Sequence, residues 1–134
     1  MTVACALDAS AILALLQMEP GHEIVLARIE RGQCMVSAVN LTEVLTRLID
    51  RGMSADDAEM AVDALELDVV AFDNGAARAC ARLRAATRHL GLSIGDRACL
   101  ALAEHRAAVA LTADHAWSKV TTGVKVEFVR KAKS

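Results

Sequence analysis

VACALDASAILALL, residues Val3 to Leu16, joins an apolar run to a helical repeat across a single carboxylate. An unbroken apolar run, Val3 to Leu7, stops at a carboxylate, Asp8. A short run of this kind is the pattern of a strand buried on both faces. Ser10 then precedes Ile12, Leu13, Leu15 and Leu16, which keep helical spacing, so Ser10 reads as a helix N-cap. Asp8 therefore falls where a central parallel strand hands over to a helix. In open α/β sheets the ligand crevice lies at that edge, and the rest of the chain is searched for groups that meet Asp8 there.

The pattern outward from this stretch alternates strands and helices. Pro20-Gly21 marks a break, and residues 22–31 resume a helix that Gly32 closes. A second strand is expected at 34–39. Leu41, Val44, Leu45, Leu48 and Ile49 then follow the spacing of an amphipathic helix. Ser54 caps a helix over 55–66, with Asp56 and Asp57 well placed in its first turn, and a short strand follows at 68–72. From Asp73 or Asn74 one long helix is expected to run to Leu90. A buried helix over 93–106, a fourth strand at 107–112 and a fifth at 124–129 complete the pattern. In the fifth strand Lys125 and Glu127 alternate with apolar residues, which suits a sheet edge. The expected architecture is a three-layer α/β/α sandwich on a mostly parallel, about five-stranded sheet. It forms one domain over 1–134 with a frayed tail at 130–134.

Composition narrows the function. The 134 residues are 54% hydrophobic with only one Trp and two Phe, and the mean hydropathy is +0.34. No apolar stretch reaches the roughly 18 residues of a membrane span. Asp8 interrupts the first apolar run and no basic leader precedes it, so neither a signal peptide nor a membrane is expected, and the cytoplasm is the expected compartment. Cys5, Cys34, Cys80 and Cys99 contain no C-x-x-C pair and read as core thiols rather than disulfides or zinc ligands. A net charge of −2 argues against nucleic-acid binding by bulk charge, while leaving local basic patches open.

Four carboxylates hold comparable positions. Asp8 ends strand one, Glu43 lies in the first turn of the helix after strand two, Asp96 in the first turn of the buried helix, and Asp114 two residues past strand four. Each has a second reading. Asn40-x-x-Glu43 and Ser93-x-x-Asp96 resemble capping boxes, Glu43 also sits four residues before Arg47, and Asp114 suits a turn. Together, however, carboxylates in one cleft repel one another unless a proton or a cation intervenes. An oxygen-only set selects Mg²⁺ or Mn²⁺ over zinc. The chemistry this favours is metal-assisted attack of water on a phosphodiester.

LDASAILALL (7–16), VSAVNLTEVLTRL (36–48), LGLSIGDRACLALA (90–103) and LTADHAW (111–117) together resemble the PIN-domain ribonucleases, specifically the VapC-type toxins of bacterial VapBC toxin–antitoxin modules. The four segments span most of the chain in order. The resemblance implies Asp8, Glu43, Asp96 and Asp114 as the acidic site, with Ser10, Ser93 and Thr112 as nearby hydroxyls. It further implies Mg²⁺ or Mn²⁺ dependence, RNA cleavage, homodimers and inhibition by a cognate VapB-type antitoxin in a hetero-oligomer. Asp8 and Asp96 are expected to contact the metal, and Glu43 and Asp114 to complete the shell. Arg82, Arg84, Arg97, Lys119 and Lys125 are candidates for an RNA path. An antitoxin groove is expected near Ile12, Leu15, Leu16, Leu45 and Leu48, residues equally suited to a core. A catalytically inert PIN-like binding subunit is an alternative. A receiver-like phosphoacceptor is another, disfavoured because Asp8 has no acidic neighbour. A D-x-D phosphohydrolase is disfavoured by Ser10.

Overall fold

Cys5, Ala6 and Leu7 are fully buried, and they form the central strand of a five-stranded, all-parallel sheet of order β3-β2-β1-β4-β5. The computed structural model describes residues 3–132. Its elements are β1 (Cys5–Leu7), α1 (Ala9–Leu16), α2 (His22–Glu30), β2 (Cys34–Ser37), α3 (Ala38–Asp50), α4 (Ala55–Asp63), β3 (Asp68–Val70), α5 (Asn74–Arg82), α6 (Arg84–Thr87), α7 (Ile94–His105), β4 (Val109–Thr112) and β5 (Val126–Phe128). Short 3-10 turns lie at Arg88–Leu90 and His115–Lys119.

Alternation along the strands separates the two helical layers. Cys5, Leu7, Val36, Val109 and Leu111 face the layer of α1 to α4, joining Ile12, Val25, Val44, Leu48 and Val62. Ala6, Met35 and Ala110 face α7, meeting Cys99, Leu100, Leu102 and Ala103. Small alanines on that side let α7 lie close on the sheet. α5 packs outside α7 through Cys80, Ala98 and Ala101. The expected three-layer sandwich is therefore observed, with β5 at one edge and β3 at the other.

Strand order places the site. From β1 the chain winds outward through β2 to β3, and after α7 it returns to the other side of β1 as β4 and then β5. The direction of winding reverses between β1 and β4, and a crevice opens at the C-terminal ends of strands at such a point. Asp8 follows β1 directly and Thr112 ends β4, so both stand at this seam.

Several boundaries differ from the sequence expectation. β2 ends at Ser37, whose hydroxyl accepts the Val39 N–H, so α3 begins at Ala38, before the first residue of the apolar repeat. The long helix expected to Leu90 breaks at Leu83. There the N–H turns to Cys80 O in 3-10 fashion, and the buried Thr87 hydroxyl donates to Leu83 O at 2.7 Å. The turn after α1 needs Gly21: its φ is +94°, and a Cβ there would overlap the Val129 carbonyl. Arg130, expected in a frayed tail, is tied down: its guanidinium donates to Pro20 O and its carbonyl meets His115 Nε2. The last two residues of that tail, Lys133 and Ser134, lie outside the described residues, as do Met1 and Thr2. Ile12 and Leu48 of the expected groove are core, and Leu15, Leu16 and Leu45 pack against them half-buried. Among the described residues no helix is long and apolar enough to cross a membrane.

Leu7→Ala removes a fully buried side chain from the central strand and should cost about 2–5 kcal/mol in denaturant unfolding. Val69→Ala on the 47% exposed edge position should stay within about 0.5–1 kcal/mol of the parent.

Candidate active site

Asp8, not Ser10, caps α1. Its Oδ1 accepts the Ala11 N–H at 2.8 Å. Asp and Ser are both strong N-caps, and the helix starts two residues earlier than the apolar spacing suggests. Ser10 is freed for a different task, and so is Thr112. The Ser10 hydroxyl donates to the Asp8 carboxylate (2.7 and 2.9 Å to its two oxygens), and Thr112 donates to Oδ2. Each hydroxyl in turn accepts a backbone N–H, Ser10 from Ala113 at 2.8 Å and Thr112 from Asp114 at 3.0 Å. Those amides occupy the hydroxyl lone pairs and aim both protons at Asp8. Three donors, Ala11 N, Ser10 Oγ and Thr112 Oγ1, then meet a carboxylate with about four lone-pair directions. The Ser10 hydrogen is shared between both oxygens, so each oxygen meets two donors.

Asp8 is 4% exposed. Burial raises its pKa to about 6, and the Asp96 charge adds to the rise, while the hydrogen bonds from Thr112, Ala11 and Ser10 pull it down. Burial wins. A second sign of crowded negative charge comes from Cys99, beneath the cleft on α7. Its thiol is pushed up by burial and then by the charges of Asp8, Asp96 and Glu43.

All four acids line one cleft of about 280 Å³. Ser93 and Asp96 form the expected reciprocal capping box: Ser93 Oγ accepts the Asp96 N–H at 3.1 Å, and Asp96 Oδ2 accepts the Ser93 N–H at 2.9 Å. Asp114 caps the 3-10 turn by accepting the Ala116 N–H. Capping and lining the cleft are thus compatible roles for the same side chains.

Glu43 departs from its expected setting. Because Ser37 is the cap of α3, Glu43 is a turn further into the helix and no capping box with Asn40 forms. Asn40, 1% exposed, instead donates through Nδ2 to Glu43 Oε1 at 2.9 Å and to the Gly95 carbonyl at 3.0 Å. It ties α3 to the start of α7 and holds the glutamate over Gly95. A Cβ on Gly95 would overlap both Glu43 carboxylate oxygens. Asn40 and Gly95 were not singled out as site residues. A glycine in a helical first turn is a flag for close approach, whereas nothing local signals the 55-residue reach of Asn40.

The expected basic residues stand elsewhere. None of Arg82, Arg84, Arg97, Lys119 and Lys125 lines the cleft. Arg97 points its Nη1 at Cys80 O, 3.1 Å away, and braces α7 against α5. The cations of the cleft are Arg47 and Arg51, one and two helical turns after Glu43 on the same face.

The donor set is entirely oxygen. Among the described residues no three Asp, Glu, His or Cys side chains form a ready cage for a metal. The all-oxygen character of the set suits a hard ion such as Mg²⁺, which keeps most of its water and uses one or two carboxylates. The burial of Asp8 and the Asp96 charge beside it fit the same group.

The PIN domain family model matches residues 5–122. The chain belongs to the PIN-domain family. Solved structures share its fold at low identity. A DNA-bound VapBC from Salmonella typhimurium has a TM-score of 0.76 and 17% identity, covering 96% of this chain and 99% of that one. A toxin–antitoxin complex from Klebsiella pneumoniae gives 0.71 and 16%, covering 96% and 100%. VapBC-5 from Mycobacterium tuberculosis gives 0.59 and 24%, covering 96% and 99%. No curated protein matches the chain.

The raised pKa of Asp8 sets a pH dependence. Between its ordinary value of 3.8 and about 6 the folded PIN domain binds more protons than the unfolded chain, so stability falls as pH rises through this window. The loss is complete above it and amounts to about 3 kcal/mol. In metal-free buffer, Asp8→Asn should therefore gain on the wild type by up to about 3 kcal/mol between pH 4 and pH 7.5, as read by denaturant unfolding. A pH-independent difference would contradict the assignment.

Proposed function

We propose that this PIN domain is a metal-dependent endoribonuclease, the VapC-type toxin of a VapBC module, neutralised by a cognate antitoxin. The observation that carries the reading is the buried Asp8 at the β1/β4 seam, with Glu43, Asp96 and Asp114 lining the same cleft. In support, the solved structures of the same fold include complexes described as VapBC or toxin–antitoxin.

Asp8 and Asp96 would hold Mg²⁺ or Mn²⁺ directly, with Glu43 and Asp114 completing or orienting the set. A divalent ion bound there would lower the pKa of water and offset charge on the scissile phosphate. The remaining work belongs to the chain. Ser10 and Thr112 hold the Asp8 carboxylate in one orientation. Ser93 does the same for Asp96, and Asn40 for Glu43. Arg47 and Arg51 place two cations on the rim where an RNA backbone would pass, supplying grip that the scarce aromatics do not. Ile49, Met53 and Met60, exposed at the end of α3 and on α4, offer an antitoxin apolar surface outside the core. In this reading the toxin is a homodimer within a hetero-oligomer.

The test is RNA incubation with Mg²⁺ or Mn²⁺ against EDTA, for the wild type and Asp8→Asn. Cleavage should require the ion and vanish in the variant; cleavage in EDTA, or by a folded Asp8→Asn protein, sinks the reading. Thr112→Val should cost roughly 10–100-fold in rate, the range for groups that orient a ligand. Arg47→Ala and Arg51→Ala should each flatten the salt dependence of RNA binding to the Asp8→Asn protein by about 0.7 in log–log slope.

Gly95→Ala separates geometry from stability. An alanine suits the helix by up to about 1 kcal/mol, so the thermal midpoint should hold or rise. The displaced Glu43 carboxylate should nonetheless reduce RNA cleavage; undiminished cleavage would remove Glu43 from the site.

A further inference from the structure

Cys5 and Cys34 are direct partners in the parallel pairing of β1 with β2. Directly paired residues on neighbouring strands project to the same face, and both cysteines belong to the core on the α1–α4 side. Neighbouring strands lie roughly 4.8 Å apart, inside the Cα separation of about 4.4–6.8 Å that a disulfide spans. Each thiol is the largest single influence on the other's ionisation. Cys80 and Cys99 have no such neighbour: each thiol donates to a carbonyl, Ile94 O at 3.6 Å and Ala6 O at 3.7 Å respectively.

The pair is also unequal and reachable from one side. Cys34 borders two cavities of about 400 and 290 Å³ at the end of the sheet opposite the acidic cleft, whereas Cys5 borders neither and has no exposure. Cys5 holds the Cys34 thiol below its ordinary value, and the nearby Arg28 charge acts in the same direction against burial. Cys5 is in turn pushed up by Cys34 and by burial. Against ionisation of Cys34 stands its own S–H contact to Arg28 O at 3.4 Å. Arg28 is itself held by Glu127, which anchors the guanidinium.

We propose that Cys5 and Cys34 form a redox pair that closes to an intramolecular disulfide under hydroperoxide, with Cys34 as the sulfur oxidised first and Cys5 as its resolving partner. The Cys34 thiolate displaces hydroxide from hydrogen peroxide: the S–O bond forms, the O–O bond breaks, and the proton lost by Cys34 leaves with that hydroxide as water. Cys5 sulfur then attacks Cys34 sulfur; the S–S bond forms, the S–O bond breaks, and the released hydroxide takes the Cys5 proton as a second water. Two thiols and one peroxide give one disulfide and two waters. The bridge joins the feet of the two strands whose other ends carry Asp8 and lead into α3.

The experiment treats the folded full-length protein with hydrogen peroxide, then counts thiols after unfolding and maps peptides without reduction. Free thiols should fall from four to two, with a Cys5–Cys34 linked peptide that dithiothreitol reverses and with Cys80 and Cys99 still alkylated. In Cys5→Ser, dimedone should trap sulfenic acid on Cys34. The proposal is overturned if Cys80 or Cys99 is oxidised before Cys34, if the bridges formed are between chains, or if Cys5 and Cys34 both stay alkylatable at peroxide levels that form sulfenic acid on a small-molecule thiol. Should Cys5→Ser fail to fold, the wild-type peptide map decides alone.

Discussion

A carboxylate 4% exposed to solvent, placed at the seam where the winding of a parallel sheet reverses, is the constraint around which this chain is built. Burying such a charge is costly unless it is partnered. Three partners come from two places: the first turn of α1 through Ala11 N and Ser10, and the neighbouring strand through Thr112. They do not suffice to bring Asp8 to an ordinary carboxylate value, because burial outweighs them. The shortfall is the physical reason to look for a cation at this point.

The other acids are held by means that serve the fold as well. Asp96 and Asp114 start helical segments, and each accepts a backbone N–H that its helix leaves without a partner. Glu43 depends instead on a tertiary clamp, Asn40 reaching from α3 to the Gly95 carbonyl, with Gly95 leaving room for the carboxylate. That clamp requires α7 to approach closely. The alanines of β1 and β4 permit it, since Ala6 and Ala110 are the residues those strands turn toward α7. Site geometry thus traces back to side-chain size in the core.

Much of this was legible in the sequence because the governing signals are local. The buried strand ending at Asp8, the Ser93–Asp96 box and the alternation of the β5 edge each occupy a few residues with one dominant reading. Errors arose where two residues compete for one role. Asp8 and Ser10 are both good caps, as are Ser37 and Asn40, and in each pair the earlier one caps while the later turns to a tertiary partner. The inward turn of Arg97 has no local signature. Arg47 and Arg51 do have one, since they share a helix face with Glu43; the i, i+4 spacing of Glu43 and Arg47 reads equally well as a surface ion pair.

The most direct measurement of the central claim is the titration of the Asp8 carboxyl carbon by NMR, in metal-free protein and with saturating Mg²⁺. A buried, cation-binding Asp8 should show a midpoint near 6 without metal and a midpoint displaced well below that value when Mg²⁺ is present. A midpoint near 4 in the metal-free protein, or one near 6 that Mg²⁺ leaves in place, would contradict the claim.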